Sequence, residues 1–398
     1  MREKMKKRKH AYDRAQPEVD GKRITYAEAL LMKQIETMPA GTGRVLVAGN
    51  RSGVVVGDLM TRWSEAAVYA HAFDAHHARA IRKHLLDLKL NVHNILCTSD
   101  VLPADAAEPD VDRRYRTAFF MTTPRSMSAE LVLDQLQDIF RSLVEGGEFW
   151  ASFEGDPDAA LKTMKLVWPS VHVADKAKHA VLFRAVKKGE PVKTRAFEAA
   201  WEASVPGGAP LTFTSLPGCF CHRRPDEGGL SLAEVAVKEI DALRAKGVDK
   251  LNLVDMGCGC GLVGLLAADG WRRTFDAAKP YVAGDFKLTL IDSHARAIEA
   301  ARRNAEQAGF APELILADDG LPRGRGGEYD LFVGNPPYYS EYRIAEVFLE
   351  TAYRALKPGG ICLSVVKTAS GLQALQEKYF HTVEVIKRRG YCVLRSIR

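Results

Sequence analysis

Two hydrophobic periodicities take turns along the chain. Residues 24–38 carry apolar side chains at helical spacing, and residues 44–49 follow as a short buried strand. A second strand over 67–73 runs into Asp74 and a helix over 75–88, and a third over 92–97 ends near Asp100. Residues 116–121 predict a fourth strand and 128–143 a helix. Glu145-Gly146-Gly147 predicts a turn, 148–153 another strand, and 181–186 a late strand. Strands spaced regularly by helices imply a mainly parallel sheet covered on both faces.

Residues 190–217 interrupt this pattern with Pro191, Pro206, Gly207, Gly208 and Pro210, and read as a connector. The same series then begins again. A helix over 232–245 precedes a strand at 251–255, a Gly-rich turn at 256–261 and a helix opening at 262. A strand at 288–291 ends in Asp292 and feeds the helix 295–308, and 313–317 ends in Asp318-Asp319. Residues 329–333 lead into Asn335, followed by a helix over 344–356, the turn Lys357-Pro358-Gly359-Gly360 and a strand over 361–366.

The two series superimpose as a repeat. Asp74 falls over Asp292 and Asp100 over Asp319; Phe119 to Ser126 falls over Leu331 to Tyr338, and Leu143 to Gly147 over Leu356 to Gly360. The copies differ in chemistry. Gly49-Asn50-Arg51-Ser52-Gly53 stands where the second copy has Gly257-Cys258-Gly259-Cys260-Gly261, and Thr123-Pro124-Arg125-Ser126 where it has Asn335-Pro336-Pro337-Tyr338. An Arg in place of the middle glycine puts a side chain where a ligand needs bare backbone. One working site is therefore expected, in the second half.

Length and composition fit this picture. The 398 residues suffice for two domains, and 46% hydrophobic with 27% charged residues is the balance of a globular protein. There is no apolar run of membrane-spanning length and no apolar stretch of the kind a signal peptide needs, so a cytoplasmic protein without membrane association is expected. Seven cysteines, an odd number, suit reduced thiols. Most of the net charge of +6 sits in residues 1–9, which hold six Lys or Arg and one Glu; such a tail suits a phosphate-binding arm and a solvated, disordered terminus equally well.

In the second half Asp255-Met256-Gly257-Cys258-Gly259-Cys260-Gly261 follows a strand and opens a helix, where glycines let backbone approach a ligand. The spacing does not fit a dinucleotide pyrophosphate site. Asp255 precedes the glycines and suits a cationic amino group. Asp292 can take the two hydroxyls of a ribose, and Asp319, with Asp318 as the second candidate, can accept from an adenine amino group. Amine, ribose and adenine in that order describe S-adenosylmethionine. Asn-Pro-Pro alone reads as a turn closing a strand. Beside such a site, the Asn335 side-chain oxygen and the Pro336 carbonyl become acceptors for a planar group bearing NH₂, with Pro337 fixing the backbone and Tyr338 offering a ring to stack on.

These motifs resemble a class I S-adenosylmethionine-dependent methyltransferase with the Asn-Pro-Pro-aromatic signature of amino-group methylation, over roughly residues 212–393. The complete chain resembles the bacterial small-subunit rRNA guanine-N2 methyltransferases built from two fused methyltransferase domains, the first degenerate. Leu216-Pro217-Gly218-Cys219-Phe220-Cys221, with Asp226 and Gly228 beyond it, is similar to the segment that borders the cofactor pocket in that family. The resemblance implies two tandem Rossmann-like α/β domains, each a mainly parallel seven-stranded sheet with helices on both faces. It divides the chain into a basic tail (1–20), a degenerate domain (21–190), a linker (191–211) and a catalytic domain (212–398). It also implies roles at the cofactor for Phe220, Asp226 and Gly228, and ribosomal RNA or the small ribosomal subunit as partner; the sequence leaves the oligomeric state open, with a monomer favoured. Tyr338 departs from the Phe usual in this family; Tyr is common in N6-adenine and in release-factor glutamine methyltransferases, so both remain alternative recipients, beside a non-catalytic tandem scaffold.

No metal is expected. Cys219-x-Cys221 and Cys258-x-Cys260 lack the usual spacing of a zinc site. His71, His76, His77 and His84 are expected to face solvent, and Arg323 and Arg325 are candidates for phosphate contact.

Overall fold

A computed structural model of the chain describes residues 16–19, 21–49, 51–101, 114–123, 127–275, 281–337 and 342–398. The basic stretch 1–9, Asn50, Pro124 to Ser126 and Tyr338 lie outside the described residues. The chain forms two compact units, Met1–Phe197 and Glu198–Arg398.

In the first unit the small strands β1 (Glu18–Val19) and β2 (Lys22–Arg23) pair with each other. The main sheet contains β3 (Gly43–Ala48), β4 (Ala66–Ala72), β5 (Ile95–Cys97), β6 (Tyr115–Thr122), β7 (Leu143–Glu154), β8 (Val171–Lys176) and β9 (Ala180–Val186), in the order β5-β4-β3-β6-β7-β9-β8. The first five strands of that order run parallel, β9 runs against them, and β8, antiparallel to β9, runs with them again. The central strands are continuous apolar runs because both faces are covered: Val45 to Ala48 and Ala118 to Met121 are buried without a polar break.

The second unit opens with β10 (Ala199–Ala203) paired to β11 (Leu211–Ser215), a hairpin inside the stretch expected to be a connector. Pro206, Gly207, Gly208 and Pro210 lie in the hairpin's turn, and Trp201 stacks on Phe213 at 5.0 Å. The sheet that follows holds β12 (Leu251–Met256), β13 (Phe286–Asp292), β14 (Glu313–Leu316), β15 (Tyr329–Gly334), β16 (Leu356–Val366), β17 (Glu384–Arg388) and β18 (Tyr391–Ile397), in the order β14-β13-β12-β15-β16-β18-β17. This is the same order as in the first unit, so both are seven-stranded, mainly parallel α/β layers. The turns expected at Gly146-Gly147 and Gly359-Gly360 lie inside β7 and β16, where a register shift absorbs them at equivalent places, Tyr115/Thr117 and Tyr329/Leu331. The helix Leu262–Arg272 is buried on nearly every side, with Trp271 fully enclosed, because the sheet lies on one face and the helix Glu227–Ala245 on the other.

The ladders correct the alignment of the two copies. Ala48 pairs with Phe120 and Met256 with Gly334, so Met121, not Thr123, occupies the place of Asn335. Ala48 pairs with His71 and Met256 with Ile291, so Ala72 corresponds to Asp292, while Asp74 corresponds to His294; each of these two is the N-cap of the next helix. Local similarity around the strand ends favours a two-residue slip that hydrogen-bond register does not allow. Among the described residues no helix is long and apolar enough to cross a membrane.

Candidate active site

The carboxyl ends of β12 and β15 meet at the point where strand order reverses, the place where open α/β sheets leave a crevice. Met256 pairs with Gly334, so the Gly-rich turn leaving β12 and Asn335 leaving β15 emerge side by side. The turn is fastened to the neighbouring strand: the Gly257 and Cys258 amides both donate to the Ile291 carbonyl, at 2.8 and 2.9 Å. The Gly259 amide donates to Asp292 Oδ2 at 2.9 Å, and Asp292 Oδ1 accepts from the His294 amide at 2.9 Å. Asp292 thus clamps the turn while lining it. Gly259 has a φ of +56°, and nothing lies within 4 Å of where its Cβ would be. Its open face is the bare backbone that a ligand can approach.

Asp255 occupies a different environment from the one expected. Its side chain is 2% exposed, and Oδ2 accepts from the Gly264 amide at 2.8 Å in the first turn of the helix Leu262–Arg272. Burial pushes its carboxyl up to about 7, against the pull of the Gly264 hydrogen bond, with the nearby Asp292 charge adding to the rise. It therefore straps strand to helix within the protein. Asp318 is half-buried and Asp319 exposed, just beyond β14.

Asp226 is the residue that most changes the picture. It caps the helix Glu227–Ala245, with Oδ2 accepting from the Gly229 amide at 2.6 Å, and the same oxygen accepts from Asn335 Nδ2 at 2.9 Å. An ionised carboxylate only accepts, so it fixes which end of the Asn335 amide faces it. Oδ1 is turned away from the carboxylate, and no described residue donates to it. Pro336 is buried and Pro337 half-buried behind it. Gly228 has a packing reason: a Cβ there would lie 3.1 Å from Asp226 Oδ2 and 3.2 Å from the Tyr391 ring. Phe220 is 69% exposed on the loop preceding the cap.

Sequence reasoning also missed Asn304, which is buried and ties three segments together. Its Oδ1 accepts from the Thr214 amide at 2.7 Å, and its Nδ2 donates to the Thr214 and Cys260 carbonyls at 2.9 and 2.8 Å. A buried Asn on an otherwise apolar helix face was the signal. Cys219, Cys258 and Cys260 are buried, and burial pushes all three thiols well above their usual range, so they are protonated packing groups. Arg325 is committed to Glu313 and Glu328, each at 2.8 Å, and to the Tyr329 hydroxyl at 2.8 Å, which removes it as a phosphate contact. His71 and His84 are buried rather than solvent-facing; His71 meets the Thr98 carbonyl at 3.1 Å and Gln135 at 3.4 Å, and His84 meets Lys22.

Known proteins share this architecture. Residues 210–395 match the family model of the methyltransferase small domain. The chain is 32% identical over 193 residues to ribosomal RNA small subunit methyltransferase C of Pseudomonas paraeruginosa, covering 47% of this chain and 51% of the relative. It is 28% identical to the protein of the same name from Hahella chejuensis, covering 67% of this chain and 70% of the relative. The match thus spans about half the length of the Pseudomonas relative. A T. thermophilus 16S rRNA guanine-N2 methyltransferase, solved in complex with AdoMet and guanosine, superimposes with a TM-score of 0.70 at 18% identity, covering 98% of this chain and 99% of that one. Residues 210–395 thus match the methyltransferase small domain, with a Gly-rich turn beside Asn-Pro-Pro, and the chain as a whole shares the fold of the T. thermophilus protein, two sheets of one strand order.

Proposed function

We propose that the chain methylates an exocyclic amino group of a base in RNA, the N2 amine of a guanine in small-subunit ribosomal RNA, with S-adenosylmethionine as methyl donor. The observation that carries this reading is the Asp226–Asn335 hydrogen bond, which turns an amide oxygen toward incoming N–H donors. The curated relatives named as small-subunit rRNA methyltransferases supply the choice of RNA.

The donor fits the residues present. The open face of Gly259, clamped by Asp292, gives it bare backbone and a carboxylate, with Gly257 and Gly261 shaping the turn. Asp292 would take its ribose, and Asp319 or Asp318 its adenine. Bound there, S-adenosylmethionine supplies an electrophilic methyl group. The chain's own residues prepare the nucleophile. An aromatic NH₂ delocalises its lone pair into the ring, so two acceptors on its N–H groups, Asn335 Oδ1 and the Pro336 carbonyl, favour a pyramidal nitrogen whose lone pair points outward. Tyr338, outside the described residues, would fix the ring plane from its place after the prolines. No general base is needed, because the methylated ammonium is strongly acidic and sheds its proton to water. A base inside a duplex must be flipped to reach this edge. The first unit serves as scaffold or binding surface.

The test is incubation with labelled S-adenosylmethionine and deproteinised rRNA, assembled small subunits or release factor, followed by digestion of the product. N2-methylguanosine is the expected product. Label in N6-methyladenosine or in the release factor would overturn the guanine assignment.

A further inference from the structure

The rim around Asn335 is built from two elements that the chemistry above does not use. On one side is the loop 216–225. Cys221 and Arg223 hold left-handed backbone conformations, with φ of 50° and 81°, rare for residues with side chains. The loop keeps them because it is tied down several times. Ser215 Oγ bonds His222 Nδ1 at 2.9 Å and accepts from the Arg223 amide at 3.2 Å, and Cys221 Sγ reaches Asp226 Oδ1 at 3.6 Å. What this rigid loop presents outward is Phe220, Arg223 and Arg224, all exposed. An exposed aromatic ring and two exposed arginines on a backbone held in this conformation point to a contact surface.

On the other side is the edge formed by β16 and the β17–β18 hairpin. Val366 pairs with Cys392, which sets Lys367 beside Tyr391, and the Lys367 ammonium lies 4.2 Å from the centre of the Tyr391 ring. Tyr391 and Asp226 Oδ2 both border the space over Gly228, at 3.2 and 3.1 Å from the position of a Cβ there. The Lys367–Tyr391 pair is thus a close neighbour of the Asp226–Asn335 pair. Arg389 does not belong to this surface, since Glu234 and Glu227 hold it at 2.7 and 3.2 Å.

We infer that the loop carrying Phe220, Arg223 and Arg224 and the Lys367–Tyr391 pair form the two jaws that hold the RNA strand on either side of the target nucleotide. Cations for phosphates with a ring at each side for unstacked bases is the combination that single-stranded nucleic acid takes. An acidic protein surface would use the cations and leave the exposed ring without a role. The inference rests on the proposed RNA methylation.

The experiment uses the full chain and deproteinised small-subunit rRNA, with binding measured across a salt series beside methyl transfer. Arg223→Gln with Arg224→Gln, and separately Lys367→Gln, should weaken RNA binding and lower the dependence of log affinity on log salt by about 0.7 per cation removed. Phe220→Ala should weaken binding roughly fivefold or more with the salt slope unchanged. Affinity for S-adenosylmethionine and melting temperature of the charge variants, recorded alongside, should match the parent. If the parent methylates RNA and the charge variants bind it with the parent's affinity and slope, the two jaws are wrong and the proposed function stands. If the parent transfers no methyl to RNA in any form, both fall.

Discussion

The two halves of the chain share a sheet order, a bulged fifth strand and a left-handed glycine capping the first helix after the turn, yet the proposed site draws on the second half alone. Gly53 and Gly261 have φ of 80° and 86°, and Gly49 and Gly257 have 76° and 70°, so the turn itself is preserved. Three of the differences bear on the proposed site. Gly259, with open space above it, corresponds to Arg51, whose charge is met by Glu28 and Asp74. Asp292 corresponds to Ala72, and Asn335 to Met121. The helix caps differ as well. Asp226 reaches out to Asn335, whereas Thr25 is closed on itself in a capping box with Glu28, whose other oxygen accepts from Ser52 Oγ at 2.7 Å. Fold and proposed site are thus separately encoded: the glycines at the ends of the turn belong to the fold of both halves, and the middle residue with three polar side chains is particular to the second.

The largest effect should come from copying the inert half at the reacting edge. Asn335→Met removes the acceptor while keeping an unbranched side chain of comparable bulk, and should lower methyl transfer by about 10²–10³. Affinity for S-adenosylmethionine, measured by calorimetry, should stay within a few-fold of the parent. Activity near the parent's would mean that the Pro336 carbonyl suffices.

Gly259→Arg copies the turn instead. It should abolish detectable cofactor binding, with affinity lost by on the order of 10²-fold, because the side chain takes the bare face and must hold φ near +56°. The reverse change, Arg51→Gly, should not create a second site, since Ala72 offers no carboxylate for a ribose. A stoichiometry of two cofactors per chain in that variant would break the comparison.

Asp226→Asn tests the orienting bond. Asn is a good helix cap, so the melting temperature should hold. An amide no longer dictates which end of Asn335 faces it, and turnover should fall roughly tenfold, the loss of about one charge-assisted hydrogen bond. The KM for cofactor should not move. A rise in that KM with unchanged turnover would instead return Asp226 to the cofactor side of the pocket.

Much of this was legible in the sequence. The alternation of periods gave the two sheets, and the Gly-rich turn and Asn335 stand at strand ends where both can be read locally. The Asp226–Asn335 bond was not legible, because it joins residues 109 apart whose pairing only the sheet order creates. Asp226 could be named from resemblance, but its partner could not. The equivalence of Met121 with Asn335 was hidden for a related reason: a slipped alignment of similar strand ends looks as good as the true one until ladder register decides. Arg325 shows the opposite failure. A Gly-flanked Arg reads as a candidate phosphate contact, whereas two carboxylates and a hydroxyl hold it in place.

The smallest expected effect concerns Asp255, whose equivalent in the first half is Val47, buried at the same place on the central strand. The carboxyl is held near 7 in the folded protein, against an ordinary value near 3.8. A raised folded value means that the native state binds the proton more tightly than the unfolded chain. The corresponding stability is fully present below about pH 4 and is lost as pH rises through about 7. Asp255→Asn keeps an oxygen for the Gly264 amide and carries no charge at any pH. The melting temperature of the variant relative to the parent should therefore climb steadily from about pH 4, by several degrees, and level off above about pH 7. A difference that stays flat across that range would mean that Asp255 ionises freely in the fold. Its strap to Gly264 would then be no more demanding than the apolar packing of Val47, and the contrast between the halves would narrow to the open face of Gly259, Asp292, Asn335 and the cap that orients it.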